Sequence, residues 1–177
     1  NLNNPINALS NLPLKAELSE RAFRRSLALA QGEALALLAV ACIIPAKLTP
    51  LPPQWIPWVL RLPDYVFSRI AGKMLAIDPQ ARSSMWEDLQ AGRRTEIDYL
   101  NGEIVRLAER VGRLAPVNAR LIELVRDAEN GGTREWSGAA LLRELTRCHN
   151  ASGESAAPGD QPGRAAGGWE GGFRGRT

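Results

Sequence analysis

Two consecutive serines, Ser83 and Ser84, are followed by Met85-Trp86-Glu87-Asp88-Leu89-Gln90, a Gly92-Arg93-Arg94 turn and Thr95-Glu96-Ile97-Asp98. These residue types suit a small organic anion. A hydroxyl with free amides at a helix N-terminus can donate to a carboxylate. An ionised glutamate such as Glu96 accepts hydrogen bonds and can hold an ammonium in place. At the start of the chain, Asn1-Leu2-Asn3-Asn4-Pro5 adds carboxamides. These can donate to a carboxylate and accept from a hydroxyl. Each feature also has a purely structural reading: N-capping for Ser83 or Ser84, a helix-dipole contact for Glu96, and a turn at Asn-Asn-Pro. A helix from Ser84 to Ala91 extends only roughly 12 Å, and local spacing does not force Ser84 and Glu96 together.

The elements that must position these residues read as helices almost throughout. Ser19 is an expected N-cap for a helix carrying Ala22, Phe23, Leu27, Ala30, Ala34, Leu37, Leu38 and Ala41 at helical spacing. Pro45 is expected to end it. Prolines 50, 52, 53, 57 and 63 forbid a long helix in the next segment, which Trp55, Trp58 and Leu62 are expected to pin to the body. Asp64 can open a helix with Val66, Phe67, Ile70, Met74 and Leu75, closed by Pro79. A short helix follows Ser83/Ser84 and stops at Gly92, a good residue for a left-handed helix end. Thr95 with Asp98 resembles a capping box. The helix beyond it carries an apolar stripe of Ile97, Leu100, Ile104, Leu107, Ala108 and Val111, ending at Gly112. Pro116 opens another, with Val117, Leu121, Leu124 and Ala128 on one face. Ser137 caps a last short helix through Leu141, Leu142 and Leu145. No stretch alternates long enough to be a strand, and no Gly-x-Gly-x-x-Gly cradle for a dinucleotide occurs. The expected fold is all-α and compact, a multi-helix domain over residues 1–148. Residues 149–177 read as a low-complexity, disordered tail, because eight of the sixteen glycines fall between 151 and 177.

Composition narrows the function classes. Lys and Arg exceed Asp and Glu by 22 to 19, too small a margin for a nucleic-acid patch. Arg21, Arg24 and Arg25 read as a solvated face beside Glu17 and Glu20. Cys42, inside an apolar run, reads as a small core residue. Cys42 and Cys148 offer neither a disulfide framework nor metal spacing, which fits a reducing cytoplasm. The apolar run from Ala34 to Ile44 is too short to span a bilayer. His149, the lone histidine, borders the tail and is not expected to bind metal or act in catalysis.

The segment Ser83–Asp98, together with Tyr99-Leu100-Asn101-Gly102, Pro116-Val117-Asn118-Ala119-Arg120-Leu121 and the asparagine-rich start, resembles the ketopantoate reductases (2-dehydropantoate 2-reductases). The resemblance covers roughly Asn1 to Glu129. It implies a C-terminal helical domain of the 6-phosphogluconate-dehydrogenase-like type, normally joined to an N-terminal Rossmann domain that binds most of the NADP cofactor. It also implies that Glu96 is catalytic and touches cofactor, and that Ser84, Asn4 and Asn1 bind substrate. Asn4 before Pro5 is the better asparagine match and Asn1 the second. The family's proton-donor lysine lies one helical turn before the asparagine-rich segment, so this chain is expected to lack it. Lys15, Lys47 and Lys73 stand in other contexts. A frequent family asparagine is replaced here by Ala81.

The expected function is therefore the substrate-binding half of an NADPH-dependent reductase of 2-dehydropantoate, inactive as this fragment and cytoplasmic. Its expected partner is a small α-keto acid rather than nucleic acid or membrane. The alternatives are a helical dimerisation module, forming a homodimer through its amphipathic faces, and a reductase domain for another branched α-keto acid.

Overall fold

The computed structural model describes residues 1–46, 51–70, 72 and 78–154. Every regular element among them is helical: α1 (Asn4–Ser10), α2 (Leu14–Ser19), α3 (Arg21–Val40), a 3-10 turn (Pro53–Trp55), α4 (Ile56–Leu60), α5 (Asp64–Ile70), α6 (Ser84–Gln90), α7 (Ile97–Arg110), α8 (Pro116–Glu129) and α9 (Gly138–Glu154). Helix α3 is the central rod. It packs against α2, α4, α7, α8 and α9, while α1 lies against α6 and α8. The apolar spacing explains this placement. Phe23, Leu27, Ala30, Ala34 and Leu37 form one buried stripe on α3. It meets Ile6 and Leu9 of α1, Ile97 of α7, Val117, Leu121 and Val125 of α8, and Leu141 and Leu145 of α9. Leu37, Leu107, Ala108 and Ala115 close a smaller core at the far end.

The helix ends repeat one device. Gly92 and Gly112, each with φ 64°, and Gly131, φ 88°, take the left-handed position after α6, α7 and α8. In each case the next amide reaches back into the last turn, as in Arg93 N–H to Asp88 O (2.8 Å) and Arg113 N–H to Ala108 O (2.9 Å). Helix α3 ends the same way without glycine. Cys42 adopts φ 56°, and Ile43 N–H donates to Leu38 O at 2.9 Å.

Four expectations about α3 and its surroundings are corrected. The helix stops at Val40, ahead of Pro45, and Cys42 is exposed because it occupies the left-handed turn. Ser19 does not cap α3; its hydroxyl turns back to Lys15 O (2.7 Å) inside α2, and Glu20 is the capping position. Arg24 is not on a solvated face. It is 0% exposed, its Nη1 donating to Leu18 O and Ser19 O, its Nε to Leu60 O and its Nη2 to Leu62 O and Asp64 Oδ1. Its guanidinium also stacks over Phe67 at 4.2 Å. The planar five-donor fork thus satisfies the carbonyls that end α2 and α4, which no local residue serves.

Further along, Trp55 and Trp58 are 63% and 70% exposed. Pro57 and Leu60 anchor that segment instead. Helix α9 extends to Glu154, beyond the short helix expected after Ser137. Met74 and Leu75 lie outside the described residues, as do 155–177 of the expected tail.

Replacing Arg24 by methionine is expected to destabilise the fold by about 3 kcal/mol or more, since several buried carbonyls lose their donor. Asp64→Asn, at a side chain 65% exposed, should cost under about 1 kcal/mol. Urea denaturation of both variants checks the contrast, and equal losses would contradict this account.

Candidate functional site

The residues named above as candidates lie at the N-terminal ends of α1, α6 and α7, where Ser83 reaches Asn4 O and Ser84 reaches Glu96. Asn7, buried in α1, makes the first junction. Its Oδ1 accepts from Ser83 N–H at 2.9 Å, and its Nδ2 donates to Leu12 O and Glu17 Oε2, both at 2.9 Å. Ser83 then caps α6, its Oγ accepting from Trp86 N–H at 3.2 Å and its hydroxyl donating to Asn4 O at 3.4 Å. Trp86 Nε1 donates to Asn11 Oδ1 (2.7 Å), and the Arg82 guanidinium stacks 4.1 Å from the Trp86 ring. Asn11 itself takes φ 55°, the left-handed end of α1.

The second junction fixes the turn into α7. Thr95 N–H donates to Glu129 Oε1 at 2.8 Å, although Glu129 closes α8 and is remote in sequence. Ile97, 1% exposed, plugs the first turn into the core. Asp98 pairs with Arg126 at 2.6 Å. The expected Thr95–Asp98 capping box does not form. Thr95 Oγ1 accepts only from Ile97 N–H at 3.4 Å, and Glu96 is the capping residue, with no side-chain capping bond of its own.

With both turns fixed, Ser84 Oγ donates to Glu96 Oε1 at 3.4 Å. Both residues are exposed, so the pair sits on the surface rather than in an enclosed cavity. Asn4 opens α1 half-buried beside Ser83, and Asn4 N–H donates to Asn1 O at 3.0 Å. Asn1 is exposed. Asn3 is committed elsewhere, with Nδ2 on Glu17 Oε2 at 3.1 Å. Ala81 contributes only backbone, its carbonyl accepting from Leu14 N–H at 2.9 Å.

The structure therefore brings Ser84 and Glu96 into contact, with Asn4 and Asn1 on the adjoining helix start. It also divides the two serines, Ser83 facing inward as the cap and Ser84 remaining outside. Asn7, Glu17 and Glu129 support the arrangement without any local signal in the sequence to mark them. A separate groove of about 380 Å³ is lined by Arg21, Arg25, Leu29, Arg61, Leu142 and Thr146 and contains none of these residues. Among the described residues no group of His, Cys, Asp or Glu is arranged to hold a metal ion. No described helix is long and apolar enough to cross a membrane.

A family model described as the ketopantoate reductase PanE/ApbA C-terminal domain matches residues 1–129. The chain belongs to this family. It is similar to the 2-dehydropantoate 2-reductase of Archaeoglobus fulgidus, 42% identical over 59 residues, 33% of this chain and 20% of that protein. The enzyme of the same name from Shigella flexneri is 42% identical over 79 residues, 44% of this chain and 24% of the relative. That from Pyrococcus horikoshii is 44% identical over 50 residues, 28% and 17% of the two chains. The matches thus span between 17% and 24% of the length of these relatives. No solved structure matches the chain. In this ketopantoate reductase C-terminal domain the matched region contains α1 to α8, and α9 lies beyond it.

The two serines should separate by experiment. Ser83→Ala removes a buried cap and is expected to cost about 1 kcal/mol. Ser84→Ala should fall within about 0.5 kcal/mol of the parent. Thermal or urea unfolding measures both, and the reverse order would overturn the assignment of the cap.

Proposed function

We propose that the surface formed by Asn1, Asn4, Ser84 and Glu96 binds a small α-keto or α-hydroxy acid, as the substrate side of an NADPH-dependent reductase that converts 2-dehydropantoate to pantoate. The observation that carries this reading is the 3.4 Å contact between Ser84 Oγ and Glu96 Oε1. It places a donor and an acceptor side by side at an exposed point where two helix starts meet. The Ser84 hydroxyl and the asparagine carboxamides supply donors for the acid group. The Glu96 carboxylate supplies an acceptor for the hydroxyl that forms at the keto carbon, and it can hold a cation that donates the proton.

The dinucleotide itself does not fit the described residues. They contain no strand, and so no strand leading through a glycine-rich turn into a helix start, where a pyrophosphate would be held. Glu96 offers it one acceptor at most. The chemistry assigned to these residues is therefore recognition and orientation of the acid. The hydride donor belongs to a nucleotide-binding unit that the described residues do not form. Membership of the ketopantoate reductase family and the names of the curated relatives support the choice of substrate.

Calorimetric or NMR titration with pantoate tests the reading. The 177-residue chain is expected to bind pantoate saturably. Ser84→Ala and Glu96→Ala should each weaken binding roughly tenfold, about 1.4 kcal/mol. The same chain, given NADPH and 2-dehydropantoate, should show no turnover. Unchanged affinity in both variants would overturn the site, and appreciable turnover would overturn the division of labour.

A further inference from the structure

Behind the candidate site lies a carboxyl group that the acid-binding reading leaves unused. Glu17 of α2 is 0% exposed and forms no ion pair with any described residue. The charged groups on the elements around it are engaged elsewhere or face solvent. Lys15 and Glu20 are exposed. Of the α3 arginines, Arg24 is spent on carbonyls and Asp64, Arg21 donates to Arg61 O, and Arg25 is exposed. Arg82, ahead of α6, donates to Asn11 O. On α6, Glu87 is exposed and Asp88 pairs with Arg93. Helix α1 has no titratable side chain. The partners of Glu17 are carboxamides, Asn7 Nδ2 at 2.9 Å and Asn3 Nδ2 at 3.1 Å, both on Oε2.

Two buried acceptors in this cluster lack a donor: Glu17 Oε1 and Asn3 Oδ1. An ionised Glu17 leaves both orphaned, which is costly for buried polar atoms. One proton on Oε1 resolves both. The acid hydroxyl then donates to Asn3 Oδ1 while Asn3 Nδ2 donates to Glu17 Oε2, closing the ring that a carboxylic acid forms with a primary amide.

We infer that Glu17 is a positioning residue, held as the neutral acid in a ring with Asn3, and that this ring sets where α1 presents Asn4 and where α6 presents Ser84. The route is continuous. Glu17 Oε2 holds Asn7 Nδ2, Asn7 Oδ1 holds Ser83 N–H, and the Ser83 hydroxyl meets Asn4 O. The ring is argued from the two unpartnered acceptors and the Asn3 Nδ2–Glu17 Oε2 bond; its consequence for ligand binding rests on the acid-binding reading. Burial agrees with the neutral form, pushing the Glu17 carboxyl up to about 7 against the lowering effect of hydrogen bonds from Asn7 and Asn3. The sign for stability follows. Folding holds this proton where the unfolded chain releases it, so the contribution is full below about 4.5, declines as pH rises towards about 7, and is flat above.

Carbon-13 NMR of the Glu17 Cδ in the full chain, assigned by its loss in Glu17→Gln, is the deciding measurement. The expected midpoint is near 7, with the Asn3 side-chain amide and the backbone amides of Asn4, Ser83 and Ser84 moving at the same midpoint. In Glu17→Gln, whose Nε2 can donate to Asn3 Oδ1, these signals should lose that titration and the fold should persist. Pantoate affinity should fall several-fold above neutral pH in the parent and stay flat in Glu17→Gln. A Cδ midpoint at the ordinary carboxylate value overturns the ring. A raised midpoint that leaves the Asn4, Ser83 and Ser84 amides still overturns the positioning role. Failure of pantoate to bind at any pH counts against the acid-binding reading, while the amide midpoints still decide the ring and its reach.

Discussion

The arrangement of the chain's first helices depends on one buried carboxamide. Asn7 is 0% exposed, so both of its donors and its acceptor need partners inside the protein. They find them on three separate pieces of chain: the turn after α1, helix α2 and the start of α6. A hydrophobic side chain of the same size would take away the donor to the Leu12 carbonyl and the acceptor for the Ser83 amide, and would leave the Glu17 carboxyl with Asn3 alone. Aspartate would supply no donors once ionised. The residue type is therefore dictated by its neighbours, and it locks α1 to α6 at the ends that carry Asn4 and Ser84.

The same logic recurs wherever a helix is too short or too poorly capped to stand alone. Helices α1 and α6 have seven residues each, well under the length at which an isolated helix is stable in water. Helix α8 begins at Pro116 behind Ala115, which cannot cap it. Glu33, reaching from α3, accepts from Val117 N–H and Asn118 N–H at 3.0 and 2.9 Å, placing a carboxylate at the positive end of the helix. Asn118 passes the connection on to Ala30 O and to Asn101 of α7. Glu129 does for the Thr95 turn what Glu33 does for α8, and Arg24 does it for the carbonyls ending α2 and α4. At these three points a side chain from distant sequence does what a local cap does elsewhere, as Ser83 does for α6.

This explains what was legible in the sequence. The stripes on α3, α7 and α8, the proline start of α8 and the glycine ends at Gly92 and Gly112 rest on local periodicity and local backbone preference, and they stand as read. Arg24 departs from its local pattern because its surroundings come from distant chain, Cys42 because α3 ends before it, and Trp55 and Trp58 because their rings face solvent. An arginine beside two glutamates looks solvated until the carbonyls of α2 and α4 converge on it. A cysteine in an apolar run looks buried until the helix ends two residues earlier. For the candidate site, residue types were readable and their convergence was not. Ser84 meets Glu96 because Asn7 fixes one turn and Glu129 the other, and neither contact is written in the spacing of the two residues.

The two adjacent serines divide between a structural position and an exposed one. Side chains on successive residues at a helix start point in different directions. Ser83 is turned inward, 6% exposed, and spends its hydroxyl on the cap and on Asn4. Ser84 is turned outward to Glu96, and a single exposed hydrogen bond of that kind adds little to stability. The fold thus invests buried contacts from Asn7, Glu17 and Glu129 in fixing two turns whose outermost side chains it does not itself need. A hydroxyl and a carboxylate held at a set distance, by neighbours that matter far more to the fold than they do, are free to exchange their mutual contact for contacts to a ligand. That asymmetry, rather than the strength of the Ser84–Glu96 contact, is the physical support for an acid-binding role.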